Sequence, residues 1–282
     1  MIRRAALALT ILAACNNSAA PPAPAAPAPP PPPPSATSVA AADAAPPKPA
    51  PTVTDTFSTP AGDATLTPIH HATLLLRVSG KAIYFDPAAA DASYEGLPKA
   101  DYVFVTDIHG DHMDPAGLAK VKKDDTVIVA PPAVNEKMPA GVVMKNGDTH
   151  DFGTFKVEAV PMYNLERGPS AGKLFHDKGR GNGYVLTFAK ATGGSAAPTA
   201  SRFYVSGDTE CTPEMKAMKA IDVAFVCMNL PYTMPPSEAA TCVNAFKPKV
   251  VFPFHYKGSN LDELTAAIKP GSGVEVRKRE WY

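Results

Sequence analysis

The chain has 282 residues, a formal net charge of zero and 45% hydrophobic residues. Balanced charge without a long Lys or Arg block gives no electrostatic footprint for DNA or RNA, so nucleic acid is excluded as a main partner. A small-molecule substrate, including a phosphorylated one, is compatible with this composition. Residues 58–282 are numerous enough to form one domain with a sizeable core.

The first residues have the composition of an export signal. A positively charged start, MIRR, precedes the apolar run AALALTILAA, which is too short to span a membrane. Residues 12–15 (LAAC) resemble the lipobox of bacterial lipoproteins, so residues 1–15 are predicted to be a signal peptide with a lipidated Cys15. An ordinary cleavage site is the alternative. Asn16 favours the outer membrane of the cell envelope as the destination.

Residues 16–57 are predicted to be a tether. They consist mostly of Ala and Pro, with an unbroken Pro run at 29–34. Such a segment buries little apolar surface and favours extended polyproline geometry, at about 3.1 Å per residue. We expect it to hold the folded domain, residues 58–282, away from the membrane; a binding role is the alternative.

The rest of the sequence alternates predicted strands with predicted helices. Strands are predicted at residues 64–69, 71–78, 82–87 and 102–105. A helix is predicted to follow, with Asp114 as its N-cap and Pro115 at its first position. Apolar runs and helical segments then alternate to the last strand, VEVRKR. This alternation predicts a layered α/β domain.

The strand at 102–105 ends in the loop TDIHGDHMD, which holds the first candidate metal site. Six residues contain four potential ligands, Asp107, His109, Asp111 and His112. Gly110 can adopt the backbone angles that such crowding requires. Charges packed this tightly at the end of a buried strand would repel unless a divalent cation bound them. The loop therefore predicts a metal site, against the alternative of a solvated surface loop.

Three features together resemble the metallo-β-lactamase superfamily. They are the DxHxDH loop, the segment SGDTE at 206–210, and the strand VVFPF that ends at His255. The family pattern is HxHxDH, so Asp107 stands where the family has its first His. The resemblance implies an αββα sandwich of two mixed sheets flanked by helices. It is closest to the branch of the ascorbate-6-phosphate lactonases and the phospholipase D-like enzymes that cleave N-acyl phosphatidylethanolamines.

The resemblance also implies two divalent metal ions, with zinc expected first and manganese or iron as alternatives. The ligands it implies are Asp107 and His109 for one ion, Asp111, His112 and His255 for the other, and Asp208 between them. Two such ions can bring the pKa of a shared water near 7, and the hydroxide would attack an ester, lactone or phosphodiester. The expected activity is that of a metal-dependent hydrolase.

One family ligand has no counterpart in the expected place. The strand that ends near residue 163 is followed by Asn164, where the family usually supplies a third imidazole. His176, twelve residues downstream, is the candidate replacement, as a ligand or a substrate contact. Arg180 in the same loop is expected to bind an anionic substrate. Catalytic roles are assigned to Asp111, His176 and Arg180.

Other residues receive weaker assignments. His71 is expected near the site, or else as a half-buried structural His, and Tyr232 is expected to overhang the site. His150 lies in a predicted Gly/Asp turn and is expected to be exposed and inert. Besides Cys15 the chain has Cys211, Cys227 and Cys242, which permit at most one disulfide. Cys227 is predicted to be a buried thiol, and Cys211 could lie near the metals.

Two further functions stay open. One is a mononuclear iron oxygenase of the same superfamily acting on thiol or persulfide substrates, which oxygen uptake would distinguish from a hydrolase. The other is a tethered protein with a structural metal site, suggested by Asn164 and Asp107. A closed ligand shell without metal-bound water would distinguish that protein from an enzyme.

Overall fold

The computed structural model describes residues 50–189 and 200–282, which form fourteen strands and five helices. The predicted signal and most of the predicted tether lie outside the described residues. No helix within these two ranges is long and apolar enough to cross a membrane. The strands form two sheets of seven.

The two sheets are formed by successive halves of the chain. The first sheet contains, in spatial order, β1 (Asp55–Thr59), β2 (Gly62–His70), β3 (Thr73–Val78), β4 (Lys81–Phe85), β5 (Tyr102–Phe104), β6 (Val127–Ala130) and β7 (Val142–Val143). The second contains β8 (Thr149–Asp151), β9 (Lys156–Met162), β10 (Gly181–Ala189), β11 (Ala200–Val205), β12 (Val223–Cys227), β13 (Val250–Phe254) and β14 (Glu275–Val276). The helices are α1 (Pro115–Val121), α2 (Pro132–Asn135), α3 (Pro213–Ala217), α4 (Pro236–Phe246) and α5 (Leu261–Ala267).

Each sheet is antiparallel in its first half and parallel in its second. β1 to β4 form an antiparallel meander, and β4 to β7 pair in parallel. β8 to β11 are likewise antiparallel, and β11 to β14 are parallel. The carboxyl ends of parallel strands meet at one edge of a sheet, so the loops that follow them gather there.

The core lies between the sheets. Phe104 of β5 and Tyr184 of β10 meet there with ring centroids 5.0 Å apart. A second cluster packs Leu118 and Val121 of α1 against the other face of the first sheet. On the outer face of the second sheet, Phe246 of α4 packs edge-on against a tyrosine of β11. The predicted αββα sandwich of two mixed sheets flanked by helices is confirmed.

Helix α1 begins as predicted and fixes the end of the motif loop. The Asp114 carboxylate accepts a hydrogen bond from the Ala116 N–H at 2.8 Å, and Pro115 occupies the first helical position. The second oxygen of Asp114 accepts from the Ala89 N–H at 2.7 Å. The cap therefore ties the loop that follows β5 to the loop that follows β4.

Two local predictions are wrong. β1 begins at Asp55, inside the predicted tether of residues 16–57. The reason is that the buried Asp55 carboxylate accepts hydrogen bonds from Arg277 and Arg279, while β1 pairs with β2. His150 is exposed as expected, but it lies in strand β8 at the edge of the second sheet rather than in a turn.

The cysteines follow their prediction of at most one disulfide. Cys211 and Cys242 are joined, which links the segment after β11 to helix α4. Cys227 is a buried free thiol, and burial raises its pKa to about 12. Cys211 belongs to none of the candidate ligand groups in the described residues, because its sulfur is in the disulfide.

Candidate metal centre

The predicted site residues come together at the edge where the parallel strands end. The motif loop follows β5, Asp208 follows β11, and His255 follows β13. His71 enters from the turn between β2 and β3, and His176 from the loop between β9 and β10. A cavity of about 400 Å³ opens at this edge. Its walls include His71, His109, Asp111, His176, Asp208 and His255.

Three groups of side chains in the described residues have ligand atoms within 4.8 Å of one another. They are Asp107, His109 and His176; His112, Asp208 and His255; and His71, Asp111 and His255. A slightly larger cavity, of about 430 Å³, lies among residues 50–54 and 278–282. None of its lining residues belongs to the three groups, so the chemistry belongs to the smaller cavity.

Asp208 lies between the first two groups. Its Oδ2 is 3.4 Å from His112 Nε2 and 3.4 Å from His176 Nε2. Its Oδ1 is 3.4 Å from His255 Nε2. This is the position predicted for the residue that bridges two ions.

The atoms that face Asp208 are buried and unsatisfied. Among the described residues, the Nε2 atoms of His112, His176 and His255 and the Oδ1 of Asp208 have no hydrogen-bond partner. An unpaired buried polar group costs about 1–3 kcal/mol, and four of them in one place need an explanation. Imidazole nitrogens and carboxylates are ligands of zinc and other divalent metals. The residues present therefore fit the metal ions that the sequence predicts.

His112 is oriented by a buried carboxylate that the sequence did not single out. Its Nδ1 lies 2.8 Å from Asp86 Oδ2, and this hydrogen bond leaves Nε2 free to face Asp208. Asp86 also accepts hydrogen bonds from the N–H and the hydroxyl of Thr106, at 2.8 and 2.6 Å. A carboxylate behind a metal-binding imidazole fixes its tautomer and orientation.

Asn164 does the same for His176. Its Oδ1 accepts from the His176 N–H at 2.9 Å and lies 2.6 Å from His176 Nδ1. The Asn164 amide donates to Glu210 Oε1 at 3.0 Å and to the Tyr232 carbonyl at 2.9 Å. Glu210 in turn accepts from the backbone N–H groups of residues 165–167. The residue at the family's ligand position thus holds the His that reaches the site from the next loop.

Arg180 has a different partner from the one predicted. Its guanidinium donates to Asp107 from Nε at 3.1 Å and from a terminal nitrogen at 3.2 Å, and it also donates to the Phe175 carbonyl at 2.7 Å. These bonds direct its charge to Asp107 rather than into the cavity. Arg180 therefore compensates the carboxylate that replaces the family's first His, and His109 Nδ1 lies 2.7 Å from the same carboxylate.

His71 and Asp111 form a pair on the cavity wall. His71 Nε2 lies 3.0 Å from Asp111 Oδ2, and His71 Nδ1 lies 2.7 Å from the Tyr282 hydroxyl. Burial lowers the pKa of His71, so its neutral ring donates to Asp111 and accepts from Tyr282. The expectation that His71 lies near the site agrees with this position.

The electrostatic field of the centre favours cations. Burial acts to lower the pKa of His112, but the surrounding carboxylates, first that of Asp208, outweigh burial and raise that pKa well above its usual value. Burial acts to raise the pKa of Asp208, but His255 and His112 outweigh it and lower that pKa. Burial lowers the pKa of His176, which keeps its Nε2 lone pair available. Carboxylates that stabilise a proton on a buried imidazole also stabilise a metal ion there.

The backbone at the centre adopts angles that most residues avoid. His71, Asp86 and His255 have φ values of 52°, 44° and 48°, in the left-handed region. Such conformations cost about 1–3 kcal/mol each and cluster at functional sites. Gly207, before Asp208, has φ 58°, and an added Cβ would lie 2.5 Å from Met162 Sδ. A larger residue at this position would displace the Asp208 loop.

Sequence reasoning missed several residues of the site. Asp86, in the segment FDP, received no assignment from the sequence. Asn229 and Lys257 line the cavity, and Glu210 lies behind it. The available signal was proximity in sequence, since Lys257 follows His255 by two residues and Glu210 follows Asp208 by two.

A comparison with known families decides the classification. A family model described as the β-lactamase superfamily domain matches residues 65–255, more than half of the chain. The chain belongs to the metallo-β-lactamase superfamily. The matched range runs from β2 to His255, so it includes all of the predicted metal ligands of this metallo-β-lactamase-fold protein.

Individual relatives agree with this classification. The UPF0173 metal-dependent hydrolase of Geobacillus sp. (strain WCH70) is 27% identical over 232 residues, covering 73% of this chain and 97% of the relative. A crystal structure of a protein from Parabacteroides distasonis ATCC 8503, described as a metal-dependent hydrolase, is 41% identical and has a TM-score of 0.72. That match covers 81% of this chain and 99% of the other.

A more distant structure supports the fold alone. Igni18, a metallo hydrolase from Ignicoccus hospitalis KIN4/I, is 21% identical, with a TM-score of 0.61 over 77% of this chain and 95% of that chain. The superfamily prediction is therefore confirmed. The finer likeness to ascorbate-6-phosphate lactonases and phospholipase D-like enzymes stays a prediction.

Proposed function

We propose that this metallo-β-lactamase-fold protein is a hydrolase that uses two divalent metal ions, zinc first, to cleave an ester, lactone or phosphodiester bond. The observation that carries the proposal is the convergence of three buried, unpaired Nε2 atoms on Asp208. The names of the relatives, metal-dependent hydrolases, support the same class.

The ligand sets follow from the groups of side chains. The first ion is assigned Asp107, His109 and His176, the second His112, His255 and Asp111, and Asp208 serves both. Asp111 belongs to the second set because its Oδ2 lies 3.4 Å from His255 Nε2 and 3.7 Å from His112 Nε2. His176 thereby takes the place that Asn164 cannot fill.

Divalent ions in such a site lower the pKa of a bound water and polarise a substrate oxygen. The chain's own residues hold that chemistry in position. Asp86 and Asn164 fix the rings of His112 and His176, so both Nε2 lone pairs face Asp208. Arg180 holds the Asp107 carboxylate through two hydrogen bonds, and His71 holds the half-exposed Asp111 carboxylate against the cavity.

The presence of two ligand sets, one for each ion, favours the hydrolase over the mononuclear iron oxygenase. An enzyme that binds a single iron ion would use only one of these sets. The exposure of Asp111 and His109 to the cavity favours an enzyme over a purely structural metal site. A structural site has a closed protein shell, whereas a catalytic site keeps a position open for water or substrate.

The test combines metal content with turnover. Wild-type protein loaded with zinc should contain two equivalents by inductively coupled plasma mass spectrometry and hydrolyse aryl esters. His176→Ala should contain about one equivalent, and Asp111→Ala and His112→Ala should lose turnover while staying folded. His150→Ala is the matched control, because His150 is exposed in β8, and it should keep both ions. Full metal content in His176→Ala, or turnover in Asp111→Ala and His112→Ala, would contradict the assignment.

We also propose that the domain lies outside the cytoplasm, anchored to the outer membrane through a lipidated Cys15. The proposed tether then comprises residues 16–54 rather than 16–57, because β1 begins at Asp55. The Cys211–Cys242 disulfide supports this compartment, since disulfides persist in oxidising environments. Cys15→Ala should move the protein from the membrane fraction to the soluble fraction and abolish labelling with a palmitate analogue. Unchanged membrane attachment would refute the anchor.

A further inference from the structure

One wall of the cavity is aromatic. Phe175 and Tyr232 lie edge to face with ring centroids 5.1 Å apart, and both line the cavity. Tyr232 is 48% exposed, which is high for a large ring beside a cavity. A ligand that covers apolar surface at a cavity wall binds more tightly, because that surface is removed from water.

This wall is preformed rather than loose. The Tyr232 carbonyl accepts from the Asn164 amide at 2.9 Å, and its N–H donates to the Asn229 carbonyl at 3.0 Å. Phe175 is fixed through its carbonyl, which accepts from Arg180 at 2.7 Å. The hydrogen bonds that hold Tyr232 and Phe175 thus come from Asn164 and Arg180, which also support the metal ligands.

A basic side chain stands on the same cavity. Lys257 is exposed, lines the cavity and takes part in none of the ion pairs within residues 50–189 and 200–282. Its backbone N–H donates to the Tyr282 hydroxyl at 3.0 Å, which fixes the backbone from which the lysine side chain extends. The other basic residues near the site are paired, Arg180 with Asp107 and Lys178 with Glu214. Lys257 is therefore free to bind an anion.

Asn229 adds a neutral donor. It is only 7% exposed and lines the cavity, and its backbone is held by a 2.7 Å hydrogen bond to the Thr233 hydroxyl. Within the described ranges its side-chain amide makes no hydrogen bond to the protein. An amide and an ammonium group on one cavity suit the oxygens of a carboxylate or a phosphate.

The charge balance of the centre points the same way. Arg180 neutralises Asp107, so the remaining carboxylates, Asp111 and Asp208, leave two divalent ions incompletely compensated. A cavity that combines this residual charge with Lys257 attracts anions.

We propose that the substrate is an anionic amphipath, in which a carboxylate or phosphate beside the scissile bond binds Lys257 and Asn229 and an apolar body packs on Phe175 and Tyr232. This inference rests on the proposed function and names the substrate class of the same site. It makes Lys257 a specificity-determining residue.

The test uses two probes of equal shape and different charge, 3-phenylpropanoate and 3-phenylpropanamide. Calorimetric titration of the zinc-loaded full-length protein should show tighter binding of the carboxylate. Lys257→Met should weaken binding of the carboxylate by roughly three- to tenfold and leave binding of the amide unchanged. The wild type and Lys257→Met would both keep any direct contact between carboxylate and metal, so the change in affinity reports Lys257 alone. Lys249→Met is the control, because that exposed lysine pairs with Asp222 away from the cavity.

A second variant tests the aromatic wall. Tyr232→Ala should weaken the binding of both probes by the same factor, because the substitution removes apolar contact and no charge. Equal carboxylate affinity in the wild type and Lys257→Met would overturn the proposal, as would the absence of binding by either probe. Failure of the hydrolase assignment is distinguishable, because it would appear as probe binding without turnover of any ester.

Discussion

Asn164→Ala tests the idea that the residue at the family's ligand position now holds His176 instead. Asn164 makes four hydrogen bonds through its side chain: two to His176 and one to Glu210, all buried, and a partly buried one to the Tyr232 carbonyl. The substitution removes all four and leaves the His176 ring free to rotate. We expect the first metal site to weaken and the second site to stay intact.

The size of the effect on metal affinity and on stability follows from the hydrogen-bond partners of Asn164. Loss of an outer-shell residue that orients a metal ligand typically lowers metal affinity about 10–100-fold, which corresponds to about 1.4–2.8 kcal/mol. The hydrogen bonds themselves contribute about 1 kcal/mol each to stability, so the free energy of unfolding of the metal-free protein should fall by about 3–4 kcal/mol. Both effects should be measurable separately.

The assay is a zinc titration in competition with a chromophoric chelator, together with urea denaturation in the presence of EDTA. Asn164→Ala should keep one tight site and lose affinity at the other. Asn244→Ala is the control, because Asn244 is a half-buried residue of α4 whose side chain also makes hydrogen bonds, to the Ala267 carbonyl and from the Lys269 N–H. Two sites of wild-type affinity in Asn164→Ala would refute the supporting role.

Three further predictions concern stability. The double variant Cys211→Ala, Cys242→Ala should lose roughly 3–4 kcal/mol of unfolding free energy in urea, because the disulfide closes a loop with a separation of 31 residues; an unchanged midpoint would contradict the disulfide. Asp55→Asn should cost about 2 kcal/mol at pH 7 in metal-free protein. Burial acts to raise the pKa of Asp55, but hydrogen bonds and charges, first those of Arg279, lower it overall, so the stabilisation is present above the unfolded value near 3.9 and is lost as pH falls through the folded value. The difference between Asp55→Asn and wild type should therefore shrink below pH 4, and a constant difference would be evidence against the ion pair. Free zinc at about 1,000 times its Kd should raise the free energy of unfolding by about 4 kcal/mol, and a thermal midpoint insensitive to zinc and EDTA would argue against binding to the folded state.

The fold was predictable because the strands and caps have strong local signals. The run YVFV at 102–105 is apolar and β-branched, and it forms the buried strand β5. Asp114 is a favourable N-cap and Pro115 a favourable first residue of a helix, and α1 begins there. β1 was missed because DTFST is short and polar, and its stability comes from Arg277 and Arg279, more than 200 residues away.

The centre of the site was predictable for a similar reason. Motif residues at strand ends converge when those strands run parallel and lie close together in one sheet. Asp208 and His255 follow β11 and β13, which flank β12 and pair with it in parallel. The supporting residues were not predictable. Glu210 and Asp86 act through contacts made only after folding, and the sequence does not indicate whether Arg180 faces the cavity or Asp107.

Anomalous diffraction from crystals of the zinc-loaded protein tests the central claim most directly. Two zinc peaks are predicted in the cavity, with Asp208 in contact with both and His176 Nε2 in contact with the one nearer Asp107. A site without zinc, or zinc bound while His176 Nε2 points elsewhere, would contradict the account.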